Sequence, residues 1–193
     1  QHEKHFSLHT TYTNIGNCYY QLENYQKALK YHYKTLSILQ QSYKQEHPLI
    51  ASSHNYIGGT FQYMEEADSA YTHLQKSIEI YQNLFGANHP KTIAPLWRLA
   101  KLHRQQKAYQ KSEQILKKII SLQEKHFGLK HPDLAKMYLD MAYLFQVQKL
   151  PVQANYYVKK AYQSNLLKKH PLDQLLMLGI IEHQLHISLD LKL

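Results

Sequence analysis

The 193-residue chain has little cysteine, glycine or proline and no long apolar run. Its one cysteine, Cys18, excludes an internal disulfide and is typical of a reducing compartment. Six glycines and six prolines are too few for an all-β protein with frequent turns, so helices are expected. No apolar run could span a membrane, and the N-terminal QHEKHFSLH lacks the apolar core of a signal peptide. These absences predict a cytoplasmic protein, in its own cell or, if exported, in another.

Acidic residues are also scarce. Lys and Arg number 23 against 14 Asp and Glu, which gives a formal net charge of +9 and a pI near 9.4. Such a balance favours an acidic peptide, a nucleic acid or an anionic membrane surface as partner. Hydrophobic residues make up 44% of the chain, enough to bury a core. The chain begins with Gln rather than Met, which predicts an excised domain or a processed product.

A His-Pro dipeptide recurs along the chain at spacings of 42, 42 and 39 residues. Self-similarity at such a period indicates a stacked repeat. A small residue follows each of the first three dipeptides at a constant distance, and Gly16 occupies the same phase one period earlier, so a first repeat begins near His5. The dipeptides are His47-Pro48, His89-Pro90, His131-Pro132 and His170-Pro171, and the small residues are Gly16, Gly58, Ala100 and Ala142.

Each repeat is expected to form two helices. Helix A begins at the His-Pro, since proline suits the first helical turn, and runs for about 16 residues. A turn, near Glu66 in repeat two, leads to helix B, and Gly86 and Gly128 supply left-handed caps at its end. A second set of small residues lets the axes of helix A and helix B approach closely. Because one helix pair cannot bury both of its faces, neighbouring pairs must stack on it. The second small residues are Ala28, Ala70, Ser112 and Ala154, and further in-phase sets are Tyr19, Phe61, His103 and Phe145, and Tyr25, Ala67, Tyr109 and Pro151.

The small-residue pattern resembles the tetratricopeptide repeat. The 42-residue length, Tyr25-x-x-Ala28 and the Gly-x-x-His-Pro runs from Gly86 and Gly128 resemble its kinesin light chain subtype. The resemblance covers nearly the whole chain. It implies an all-α, right-handed α-solenoid of about four repeats in a single domain over 1–193, with repeats at 5–46, 47–88, 89–130 and 131–169 and a C-terminal capping helix over 170–193.

Three departures from the pattern are expected to have structural effects. Pro95 should delay or kink the third helix A. Repeat four is three residues short and loses its aromatic-Gly cap. Beyond His186 apolar residues alternate, which predicts a continuing chain in the parent protein, a self-association surface over 172–193, or a frayed end. The self-association alternative would make the chain a regulatory or oligomerisation arm of a larger protein.

The sequence offers no catalytic constellation. No phosphate loop, HExxH or GxSxG motif occurs, and Cys18 is expected on the packed side of helix A as a small hydrophobe. His183 and His186 have a spacing that two metal ligands could use, but no third ligand is evident. We therefore expect no enzymatic activity, no cofactor, no metal and no small-molecule substrate.

The informative residues are those on the inner face of helix A, which lines the concave groove of such a solenoid. They combine amides that can pair with a peptide backbone, aromatic side chains typical of binding hot spots, and cations that can meet carboxylates. Gly59, also on this face, should leave room for a ligand side chain. The predicted peptide-binding residues are Asn14, Asn17 and Tyr20 in repeat one, Asn55, Tyr56 and Tyr63 in repeat two, Trp97, Arg98, Lys101 and Arg104 in repeat three, and Lys136 and Tyr143 in repeat four.

Kinesin light chains hold short peptides with an aromatic or Leu residue flanked by acids in this groove, which the resemblance implies here as a general mode. The paired Asn residues of that family are missing, so the same motif specificity is not expected, and the match to a carboxylate clamp of chaperone-binding repeats is too partial to keep. We expect a non-catalytic adaptor or scaffold for an acidic peptide. The alternative is that Trp97 and the tyrosines pack between helices while the cations are plain surface. A nucleic-acid partner is not expected, because the cations are interleaved with Glu and Gln.

Overall fold

The computed structural model describes residues 2–43, 46–129 and 131–164. In these ranges the regular structure is helical and contains no strand, as the scarcity of glycine and proline predicts. The predicted capping helix over 170–193 and the self-association surface lie outside the described residues. The helices are α1 His2–Gln21, α2 Tyr25–Ser42, α3 Pro48–Tyr63, α4 Ala67–Phe85, α5 Ile93–Gln105, α6 Tyr109–Phe127, α7 Pro132–Val147 and α8 Pro151–Gln163.

The chain forms two compact units, divided within α5 between Leu102 and His103. In the first unit α1 pairs with α2 and α3 with α4, and α2 also packs on α3. In the second unit α7 packs on both α6 and α8. The single domain over 1–193 remains a prediction.

The same hydrogen-bonded turn ends α1, α3, α5 and α7. Its central residue has a positive φ, and the next amide donates back to a carbonyl five residues earlier, which is the Schellman arrangement. The residue after that begins the following helix, so the predicted set from Tyr25 to Pro151 marks the first residue of every helix B. The positive-φ residues are Glu23, Glu65, Lys107 and Lys149, with φ of 58°, 62°, 59° and 59°.

Histidine caps the start of three helix A segments. The Nδ1 atoms of His47, His89 and His131 each accept a hydrogen bond of 3.2 Å from the backbone amide two residues later. Each ring also packs against an aromatic ring from the end of the preceding segment, with centroids 3.8 Å apart for Tyr43–His47 and 4.7 Å apart for Phe85–His89. These contacts order the loop before helix A at His47, His89 and His131.

Proline acts as predicted at the start of the third helix A, whereas the glycines after helix B do not adopt the predicted left-handed cap. In repeat three a 3₁₀ turn, Pro90–Thr92, precedes α5, so the helix that contains Pro95 starts late. Gly86 and Gly128 follow α4 and α6 with φ of +92° and +78°. Their ψ values of 157° and 170° place them in a region that is essentially open only to glycine, rather than in the left-handed helical region.

The core of the first unit joins α2, α3 and α4. Small residues allow the close approach: a Cβ added at Gly58 would lie 2.8 Å from the Cγ of Leu74, and Ala70 is fully buried. The second unit has its own core, in which Leu134, Met141 and Leu144 are fully buried. The main cluster of the first unit consists of Leu36, Leu39, Ile50, Ala51, Ile57, Ile80 and Tyr81.

Gly16 makes room for a histidine ring. A Cβ there would lie 2.6 Å from the ring of His32, which is 2% exposed and stacks on Tyr56 with centroids 5.4 Å apart. Burial, and then the nearby charge of Arg98, lower the pKa of His32 to about 4. The ring is therefore neutral at physiological pH.

A second histidine contact joins α3 to α4. The Nδ1 atoms of His54 and His73 are 2.9 Å apart, and the Nε2 of His73 is 3.1 Å from the hydroxyl of Tyr33 on α2. Burial, followed by the charges of His73 and Lys76, lowers the pKa of His54 to about 4. Burial also lowers the pKa of His73. Neutral rings thus hold these three helices together.

The predicted position of Cys18 is wrong, because the side chain is exposed. Its counterpart one period later, Thr60, is fully buried because α2 covers that face of α3. In the described part of the chain no helix precedes α1, so the corresponding face of α1 is open.

We predict that Lys149→Gly stabilises the second unit. Lys149 has a φ of 59°, which costs a non-glycine residue about 1 kcal/mol, and the greater freedom of glycine in the unfolded chain offsets part of the gain. The expected net increase in the free energy of unfolding, measured in urea, is about 0.5 kcal/mol. The matched change Gln148→Gly, at a φ of −86°, should lower the stability instead. Equal effects of the two changes would contradict the argument.

We also predict that the protein loses stability between pH 6.5 and about pH 4. His32 and His54 have folded pKa values near 4 and unfolded values near 6.5, so in this window the unfolded chain binds more protons. The stabilisation is complete above pH 6.5 and is lost as the pH falls, with His32 accounting for roughly 3 kcal/mol. Urea unfolding at several pH values measures the slope. His54→Gln should reduce the slope.

Candidate functional site

A cavity of about 220 Å³ lies in the first unit and brings together four helices. Helix α1 contributes three residues at helical spacing, which therefore share one face. Helices α2, α3 and α5 contribute one residue each. The lining consists of Asn17, Tyr20 and Gln21 from α1, His32 from α2, Tyr56 from α3 and Arg98 from α5.

Arg98 reaches across the unit to α1. Its Nη1 donates to the hydroxyl oxygen of Tyr20 over 3.4 Å, and its guanidinium carbon lies 5.9 Å from the centroid of that ring. A Cβ on Gly59 would overlap the guanidinium group, so the absence of a side chain on α3 creates the path for Arg98. The space predicted at Gly59 for a ligand side chain is thus occupied by the protein itself.

The cavity holds one formal charge among its six lining residues. His32 is neutral because its pKa is lowered to about 4, and burial raises the pKa of Tyr20. Arg98 is half-buried, and within the described ranges no carboxylate forms an ion pair with it. The arrangement is a cation surrounded by neutral amide, hydroxyl and aromatic groups. It can accept a carboxylate.

An aromatic cluster adjoins this cavity. The ring of Tyr63, which is 53% exposed, stacks on Tyr25 with centroids 5.7 Å apart and meets Tyr20 edge-on at 5.4 Å. Tyr20 therefore belongs to both the cavity and the cluster. The exposed face of Tyr63 provides rigid apolar area next to the cavity.

Other predicted site residues of the first unit have different surroundings. The Nζ of Lys101 lies 3.7 Å from the centroid of Trp97, one helical turn away. The buried Oδ1 of Asn55 has no hydrogen-bond partner in the described structure. Asn14 does not reach the cavity and instead lines another face of α1 with Ile15 and Cys18.

In the second unit the predicted cations have acidic partners. Arg104 pairs with Asp140 over 3.3 Å, with each side chain 17% exposed, and its guanidinium lies 4.5 Å from the ring centroid of Tyr143. Lys136 pairs with Asp133 over 3.0 Å. Their positive charge is thus partly neutralised within the protein.

His32 and Tyr25 were missed by the sequence argument, which considered only helix A. Both lie on helix B. The presence of Gly16 could have pointed to His32, because its missing side chain leaves room for a large neighbouring ring. The described residues hold no group of three potential metal ligands, and no helix in them is long and apolar enough to cross a membrane. His183 and His186 lie outside the described residues.

The tetratricopeptide repeat family model matches residues 7–70 and 49–125. In structure the chain is similar to BtubC (BKLC) from P. vanneervenii, with a TM-score of 0.73 and 17% identity over 85% of this chain and 66% of that one. It is also similar to a putative kinesin light chain from Podospora anserina with nearly identical TPR-like repeats, with a TM-score of 0.67 and 16% identity over 93% of this chain and 97% of that one. A glutamine-to-methionine variant of the latter has a TM-score of 0.66 and 15% identity, covering 93% and 96%. No curated protein sequence matches the chain.

Identities of 15–17% show the fold alone, and that fold is the predicted all-α, TPR-like solenoid. The family match extends over more than half of the chain, and TPR repeats form protein–protein interaction modules. One of these solved structures is described as a putative kinesin light chain, the subtype that the 42-residue period resembles. The chain belongs to the tetratricopeptide repeat family.

Proposed function

We propose that the chain is a non-catalytic module that binds a short acidic segment of a partner protein, with one ligand carboxylate at Arg98. The observation that carries the proposal is the half-buried guanidinium without a carboxylate in the described structure, at the wall of a cavity. TPR repeats in general bind proteins, which supports a protein ligand. The single cysteine is in keeping with a cytoplasmic setting.

The size of the cavity suits one acidic side chain. The cavity of about 220 Å³ is many times larger than the roughly 10–15 Å³ that a single water requires, which leaves space for a carboxylate side chain. Arg98 would bind it through two parallel N–H donors, and the amides of Asn17 and Gln21 can donate as well. Since the remaining lining groups are neutral, a single negative charge balances the site.

The aromatic cluster supplies an anchor for a neighbouring apolar residue of the ligand. Tyr63 offers an exposed ring, and rigid aromatic surface of this kind is enriched at binding hot spots. Asn55, Trp97 and Lys101 complete the proposed surface of the first unit. Arg104, Lys136 and Tyr143 stay in the proposal with a smaller expected share, because both cations are already paired.

Replacing Arg98 should weaken binding without unfolding the protein. The probe is a fluorescein-labelled peptide with a Trp flanked by Asp residues, and fluorescence anisotropy gives its Kd. A charge-assisted hydrogen-bonded pair is worth about 2 kcal/mol, so Arg98→Gln should raise the Kd about 10- to 30-fold. Added salt should weaken binding to the wild type more than to the variant.

Two controls separate this contact from the general positive charge. Lys159→Gln removes the same charge from an exposed position of α8 and should change the Kd less than twofold. A peptide with Asn in place of each Asp should bind the wild type as weakly as the acidic peptide binds Arg98→Gln. If Lys159→Gln and Arg98→Gln weaken binding equally, the cavity is not the site.

Substitution of Gly59 should weaken peptide binding as much as substitution of Arg98, although Gly59 itself does not contact the ligand. A methyl group in Gly59→Ala would overlap the guanidinium and displace it, so this variant should lose a similar factor in affinity. The double variant with Arg98→Gln should lose little more than either single change, because both remove the same interaction. Circular dichroism checks that each variant stays folded. Additive losses in the double variant would show that Gly59 acts on the ligand independently of Arg98.

A further inference from the structure

The first unit has a second surface, separate from the Arg98 cavity. We call it the N-terminal edge. It consists of the open face of α1 and the adjoining face of α2, and it includes a cavity of about 480 Å³. The lining of that cavity is Thr11, Asn14, Ile15, Cys18, Tyr19 and Leu22.

The repeat register shows what kind of element fits this edge. One period later, the counterparts of Ile15 and Tyr19 are Ile57 and Phe61 on α3. Both belong to the cluster that α3 forms with α2 and α4, and Ile57 is fully buried there. Helix α2 takes part in covering this face in repeat two, since the ring of Tyr33 meets that of Phe61 edge-on with centroids 6.5 Å apart. In repeat one Ile15 is only half-buried, and Leu22 is 73% exposed.

Charge indicates the chemistry of the occupant. Three lysines, Lys27, Lys30 and Lys34, lie at helical spacing along one side of α2, and α2 contains no acidic residue. Residues 8–21 of α1 contain none either. A row of like charges, with no acid in α2 or in residues 8–21 of α1, is complementary to a row of carboxylates.

Two of these lysines, Lys27 and Lys34, lie over tyrosine rings. The Nζ of Lys34 lies 5.1 Å from the ring centroid of Tyr12 and 5.4 Å from that of Tyr31, and the Nζ of Lys27 lies 5.2 Å from that of Tyr19. Tyr19 and Tyr31 stack on each other with centroids 5.6 Å apart. The ammonium groups and the mutual stacking occupy the ring faces. Nucleic-acid bases, which would need open ring faces, are disfavoured.

We propose that the N-terminal edge binds an acidic amphipathic α-helix of a partner protein. The apolar side of this helix lies in the cavity against Ile15, Tyr19 and Leu22, as α2 lies against α3 in the next repeat. Its carboxylates face Lys27, Lys30 and Lys34. The edge shares no residue with the Arg98 cavity, so the two surfaces can be occupied independently.

Cys18 provides the readout, because it lines the edge cavity, is exposed and is the one cysteine of the chain. The probe is a labelled peptide that forms a helix with Leu on one face and Glu on the other. Saturation with this peptide should slow the alkylation of Cys18 by iodoacetamide about tenfold or more. A peptide of the same composition in scrambled order, and one with Gln for Glu, should not protect Cys18.

Variants locate the contact. The double change Lys30→Glu and Lys34→Glu should raise the Kd of the helical peptide more than tenfold, whereas Arg98→Gln should leave it within twofold. Both lysines are exposed, so the fold should persist, as circular dichroism would verify. The reverse order of effects would place the peptide at the Arg98 cavity and overturn the proposal.

If the N-terminal edge binds something other than an acidic helix, the alkylation of Cys18 will give a different result. Protection of Cys18 without peptide that grows with protein concentration would assign the edge to a second copy of the chain. Stronger protection by single-stranded oligothymidine or by anionic vesicles than by the peptide would assign it to those ligands. Unchanged alkylation while anisotropy reports saturation would remove the edge as a binding surface. Each of these outcomes overturns the acidic-helix proposal.

Discussion

Both candidate surfaces depend on the packing of one helix pair against the next. A single pair has an apolar face on each side, and stacking buries one of them. Where the next pair is present, as between α2 and α3, the shared face becomes core, and residues of α1, α2, α3 and α5 form a concavity. Where it is absent from the described structure, as on α1, the same face stays open. The Arg98 cavity and the N-terminal edge are therefore two results of one packing rule.

The architecture was predictable because it is encoded in local features that recur with a constant period. The His-Pro dipeptides predicted that helix A begins at Pro48 and Pro132, and the structure adds that His47, His89 and His131 each accept a hydrogen bond from the backbone amide two residues later. Pro95 predicted the late start of α5. These are short-range effects of backbone geometry, which a sequence expresses directly.

The surface residues were less predictable, since their environment depends on contacts between distant parts of the chain. The burial of Cys18 was inferred from its phase in the repeat, but within the described residues no helix covers that face of α1, and the side chain is exposed. Arg98 and Arg104 looked alike in sequence. In the structure Arg104 pairs with Asp140, while Arg98 extends over Gly59 to Tyr20, which is 78 residues away. His32 was not considered, because the groove was expected to be built from helix A alone.

The histidine caps have a consequence for how the protein can be observed. A neutral imidazole that accepts a hydrogen bond at Nδ1 carries its own hydrogen at Nε2, so the caps select one tautomer at His47, His89 and His131. Ring nitrogen resonances differ between tautomers, and these three belong to three successive helix starts. Among the fourteen histidines, they form a set of native spectroscopic reporters that can follow the opening of each start separately.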